Sequence, residues 1–126
     1  MPVRFTLFTT MAALGLLAVP AYAADCKQGD SSLAATYELR GVMEVGSAIR
    51  LHRDGRFEYM MTYGAADEVA EGCWKRAGET VVLTTSRMRN NHGGRKFKQL
   101  TLKLNSSGGL VRTFDATHKG TYARLR

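Results

Sequence analysis

The stretch SAIRLHRDGRFEYMMTY, Ser47 to Tyr63, constrains the fold of this chain more than any other. Apolar Ile49 and Leu51 alternate with Arg50 and His52, the two-residue period of a strand with one buried face. Asp54 and Gly55 then supply the positive φ that a tight hairpin needs. On the returning strand Phe57, Tyr59, Met61 and Tyr63 fall on one parity. Two strands alone would leave so heavy an apolar face in water. The rest of the chain must cover it.

The same period recurs on both sides. LAATYEL places Leu33, Ala35, Tyr37 and Leu39 on one parity, and EVAEGCWKR precedes the turn AGE. TVVLTTS follows with Val81 and Leu83, and FKQLTLKLN sets Leu100, Leu102 and Leu104 against Gln99, Thr101 and Lys103. GLVRTFD and GTYARLR finish the chain. About eight short strands parted by Gly, Asn, Ser and Asp turns predict an all-β antiparallel meander. Eight strands suffice to close a small barrel, or a barrel-like sandwich, and so remove exposed edges. One segment, SRMRNNHGGRK from Ser86 to Lys96, breaks the rhythm and reads as a loop.

The chain opens MPVRFTLFTTMAALGLLAVPAYAADC. Arg4, an apolar run from Phe5 to Val19, and small residues at Ala21 and Ala23 have the form of a secretory signal peptide cleaved after Ala23. The run is shorter than the roughly 20 apolar residues of a membrane span. The expected organisation is a signal peptide at 1–23 and a single barrel-like domain at 24–126, periplasmic or secreted, with no integral membrane span after cleavage. Taking 23 residues from 126 leaves 103, enough for one core. Both cysteines, Cys26 and Cys73, lie in that part, and an even count in an exported chain predicts a disulfide. Closing a loop of about 47 residues stabilises by about 4 kcal/mol at most.

The formal charge of +7 includes Arg4. The remaining basic surface would attract anionic partners, but no nucleic-acid motif accompanies it, so nucleic acid is not an expected partner. Arg87, Arg89, Arg95, Lys96 and Lys98 are the candidates for contact with an anionic surface. His52, His92 and His118 stand 40 and 26 residues apart, without the close pairing of a strand-borne metal site. No metal or cofactor is expected. Glu44, Glu58, Asp67, Glu68 and Glu71 could furnish an acid and base pair, yet no nucleophile elbow, phosphate loop or zinc motif appears. No catalytic residue is assigned, and a hydrolase is the third reading, behind a binding module for a small ligand or envelope protein and a basic adaptor or inhibitor. Core packing is the ordinary role of Phe57, Tyr59, Met61, Tyr63 and Trp74. A cavity walled by Tyr59, Tyr63 and Trp74 would also offer apolar area and hydrogen bonds. YGAADEVAEGCW, with Asp67, would be its lip, because Gly64, Ala65 and Ala66 remove bulk where the strand ends.

Met43 to Trp74 resembles a group of small uncharacterised proteobacterial exported proteins with the pattern G-S-x-(I/L)-x-L-x-x-D-G-x-F, then Y-G-A-x-D, then G-x-W. The matching positions are Gly46, Ser47, Ile49, Leu51, Asp54, Gly55 and Phe57; Tyr63, Gly64, Ala65 and Asp67; and Gly72 and Trp74. The alternation is also loosely similar to lipocalin-like barrels. Lipocalins carry G-x-W in the first strand, whereas Gly72 and Trp74 stand mid-chain, so no lipocalin ligand is implied.

Overall fold

A computed structural model describes residues 26–126 together with Gly15. The predicted signal peptide and its cleavage after Ala23 therefore lie outside the described residues, Gly15 apart. A short 3-10 turn, Ser31–Leu33, is capped by the Asp30 carboxylate, which accepts from the Ser32 N–H at 2.9 Å. Eight strands follow: β1 (Ala35–Arg40), β2 (Val45–Leu51), β3 (Arg56–Tyr63), β4 (Ala66–Ala77), β5 (Thr80–Asn90), β6 (Gln99–Leu104), β7 (Leu110–Thr113) and β8 (Lys119–Arg124). Each pairs antiparallel with its predecessor, and β8 pairs with β1, so the predicted meander closes into a barrel. Closure removes the free edges that would otherwise template aggregation.

The strand period sorts side chains as the sequence pattern requires. Tyr37, Ile49, Leu51, Phe57, Tyr59, Val81, Leu83, Leu102, Leu110 and Tyr122 point inward and are buried. Arg50, Glu58, Arg87 and Lys103 point outward into solvent. An apolar interior with a charged exterior is the reverse of a barrel built to sit in lipid.

Two segments depart from the sequence reading. Ser86 to Asn90 is strand, the second half of β5, and the loop begins only at Asn91. A β-bulge explains the broken rhythm. Gly72 pairs with Thr85 while Glu71 pairs with Arg87, leaving Ser86 as the extra residue. The inward parity therefore jumps from Val81 and Leu83 to Met88. Gly72 admits this irregularity because a Cβ there would collide with the Thr84 carbonyl. Likewise, the acidic stretch after Tyr63 is no loose connection. Gly64 and Ala65 make a tight turn, and β4 starts at Ala66.

In a closed meander all odd-to-even connections gather at one end and all even-to-odd connections at the other. The second end is plugged. The turn Ser31–Leu33 lays Leu33 across it, and Trp74 fills the space beneath, 2 % exposed, with its indole N–H donating to the His52 carbonyl at 2.8 Å. Cys26 and Cys73 are bridged, with Cα atoms 5.3 Å apart. Gly55 sits under that bridge at φ 88, where a Cβ would strike the Lys27 carbonyl. The hairpin turn thus needs glycine both for its backbone and for its contact.

Candidate functional site

The other end of the barrel is open, ringed by residues 41–44, the turn at 64–65, and the loops 91–98 and 114–118. Its floor is polar. Arg112, on the inward parity of β7 after Leu110, donates from Nη1 to the Tyr59 hydroxyl at 3.0 Å and to the Tyr122 hydroxyl at 3.5 Å. Tyr59 in turn donates to Glu68 Oε2 at 3.1 Å, with Met61 Sδ also within 3.5 Å of its hydroxyl. Ser47 Oγ lies 2.8 Å from the Tyr122 hydroxyl and donates to the Met60 carbonyl at 2.7 Å, so Tyr122 is the donor between them. Each hydroxyl accepts once and donates once, which leaves no buried polar atom of the network unmatched.

Glu68 collects a second donor. The Gly94 N–H points to His92 Nδ1 at 3.1 Å, so that nitrogen accepts and the ring proton sits on Nε2. Nε2 then donates to Glu68 Oε1 at 3.1 Å. The Glu68 side chain is only 17 % exposed, and it tolerates burial because both oxygens are bonded. Arg112 has no carboxylate of its own among the described residues; the Tyr59 phenol stands between it and Glu68. Its guanidinium also lies 4.5 Å from the Phe114 ring centre and 5.7 Å from that of Tyr59, within cation–π range. Burial holds the Tyr59 phenol well above its ordinary range, although Arg112 pulls the other way. It stays a neutral donor to Glu68.

Above this floor opens a cavity of about 400 Å³. Val42, Val45, Met61 and Phe114 form apolar walls, and Tyr63, Ala66, Glu68, His92, Asp115 and His118 complete the lining. Asp115 is held below the usual carboxylate range by the Thr117 N–H, then by the His118 ring and the Thr117 hydroxyl. The Asn91 amide ties the rim together. It donates to the Ala65 carbonyl at 2.9 Å and accepts from the Asp67 N–H at 2.7 Å. Among the described residues no group of three or more His, Cys, Asp or Glu side chains converges as a metal site would require.

The sequence-derived candidates scatter over this frame. Tyr59 is in the floor, 3 % exposed, and Tyr63 is at the rim, 57 % exposed. Trp74 belongs to the plugged end, some four residues and about 13 Å along the barrel from the level of Ala70, which pairs with Tyr59. The structure therefore does not bring Trp74 to Tyr63. Asp67 points out of the barrel, and its neighbour Glu68 points in. The basic set divides as well. Arg87 and Arg89 lie on the outer wall of β5, while Arg95, Lys96 and Lys98 belong to the loop 91–98. Arg112 and Tyr122 were not singled out from sequence, and Glu68, His92 and Ser47 were named there only as a possible acid or base, a histidine without a metal-site spacing and a motif position. The signal for two of them was parity: Arg112 shares that of Leu110, and Glu68 that of Ala70 and Trp74.

The chain matches no protein-family model, no curated protein and no solved structure with which it was compared.

Proposed function

We propose that this chain is a non-enzymatic binding module of the cell envelope, periplasmic or secreted, and that its site is the open end of the barrel. The ligand is a small, largely apolar molecule with one hydrogen-bonding end. The apolar part would lie against Val45, Met61 and Phe114, and the polar end would reach Glu68 or His92. One observation carries the reading: a cavity of about 400 Å³ whose apolar walls meet the hydrogen-bonded pair Glu68 and His92, the usual composition of a small-molecule site. Two features of the rim support it. Met43 is 87 % exposed beside Val42, and Glu44 holds φ 63, a conformation costly for a non-glycine residue. The disulfide fits an oxidising compartment.

The test is titration with N-phenyl-1-naphthylamine, an uncharged apolar dye whose emission rises on leaving water. Wild-type protein should give a saturable rise, and Ala66→Trp, which places an indole in the cavity wall, should abolish it while leaving the melting temperature within a few degrees. A wild-type titration that never saturates, or unchanged binding by Ala66→Trp, removes the mouth as the site.

A further inference from the structure

A second concavity lies outside the barrel. Strands β2 to β5 form a groove of about 460 Å³ on their solvent face. Its floor is a cross-strand row, because Ala48 pairs with Met60, Met60 with Val69 and Val69 with Arg89. Met60 and Val69 are 41 % and 45 % exposed and adjacent. They are apolar side chains that no part of the described chain covers. The neighbouring row is charged: Arg50 pairs with Glu58, Glu58 with Glu71, and Glu71 with Arg87.

The charges are not all engaged. Glu58 is held by His52 at 2.8 Å, and Glu71 lies 3.6 Å from Arg87. Arg50 and Arg89, at opposite sides of the groove, form no ion pair with a described residue. Three strand spacings and a two-residue offset along the strands separate them, about 16 Å at the backbone. An occupant that satisfies both must carry two anionic groups well apart, with something apolar between them over Met60 and Val69. A single-headed amphiphile would reach only one arginine. Strand addition within the groove is closed off too, because β2, β3, β4 and β5 are already paired to one another along it.

We propose that this outer groove docks an extended segment of a partner protein with the pattern acid–x–apolar–x–acid. Acids four residues apart in an extended chain stand about 13 Å from one another, a span that two arginine side chains can bracket. The residue midway faces the same side as both acids and lands at the edge of the Met60–Val69 row, between it and the Glu58–Glu71 row. This site is independent of the open end, which lies inside the barrel.

Fluorescence polarisation with the full chain tests it, using a labelled peptide that carries two aspartates four positions apart, leucine midway and serine between. Saturable binding at low salt is expected, weakening as salt rises. Arg50→Gln, Arg89→Gln and Met60→Ser should each weaken it about fivefold, as should replacing the peptide leucine by serine. All three protein variants change outward-facing side chains, and thermal melts check that they fold. Arg95→Gln, in the loop 91–98, should leave binding within about twofold, and so should Ala66→Trp. Absence of saturable binding overturns the proposal. So does an Arg95→Gln loss as large as that of Arg89→Gln, which would mean diffuse charge attraction only. Dodecanoate or anionic vesicles bound through Arg50 and Arg89, with the peptide unbound, would equally overturn it in favour of a lipid.

Discussion

The two ends of the barrel are made by the same strands and differ in almost every physical respect. At the plugged end Trp74, Leu33, Leu51 and Phe57 are each 8 % exposed or less, and a disulfide fastens the incoming chain over them. At the open end Arg112, Glu68 and two tyrosine hydroxyls share one hydrogen-bond network beneath empty volume. Strand β4 shows the gradient in one line. Its inward positions run Trp74, Gly72, Ala70, Glu68, Ala66, from a large plug through small spacers to a charge and an open wall. Stability concentrated at one end lets the other keep features that contribute little to it. Apolar burial and a covalent tie do not depend on the mouth, whereas a polar network near solvent gains only a modest net energy from each bond.

That contrast can be broken by substitutions placed at each end. The largest loss is expected from Trp74→Ala, which empties the plug and removes one of the two donors to the His52 carbonyl. Urea unfolding should show destabilisation of about 4 kcal/mol, and a loss under about 1 kcal/mol would mean the plug is not where stability resides. Gly55→Val, also at the plugged end, should cost at least about 2 kcal/mol, because it combines a forbidden φ with a collision against Lys27. An unchanged melting temperature would refute that positive φ. The smallest effect belongs to the mouth. Arg112→Met takes one donor from each of two tyrosine hydroxyls that keep their bonds to Glu68 and Ser47, and fills the space with an apolar chain of similar reach, so the expected loss is about 1 to 2 kcal/mol. If Arg112→Met proves as damaging as Trp74→Ala, the two ends share one stability and the division fails.

The fold was readable because a buried strand announces itself locally. Ile49, Leu51, Phe57 and Tyr59 alternate with polar neighbours whatever the rest of the chain does, and Asp54-Gly55 marks its own turn. β5 was harder. Its bulge moves the inward parity onto Met88, so an unbroken count of two fails at Ser86 and the basic residues beyond it look like loop. The mouth was harder still. Asp67 and Glu68 are adjacent acids, and only the assignment of β4 as a strand starting at Ala66 decides which one faces inward. Arg112 follows Leu110 at strand spacing, a signal of an arginine on the core side that the sequence reading did not use. Nothing near it in sequence, however, named its partners.

By itself the sequence determined the two-residue period, the hairpin at Gly55, the count of strands and, with two cysteines available, the one intramolecular disulfide the chain can make. These depend on neighbours within a few residues or on simple counting. The tertiary structure alone decided which end is plugged, where the charges meet and which outer residues share a groove. Arg112 and Tyr59 are 53 residues apart, and Ser47 and Tyr122 are 75 apart. Such pairs exist only once eight strands have closed with one particular stagger, and that stagger is a property of the whole sheet that no single strand encodes.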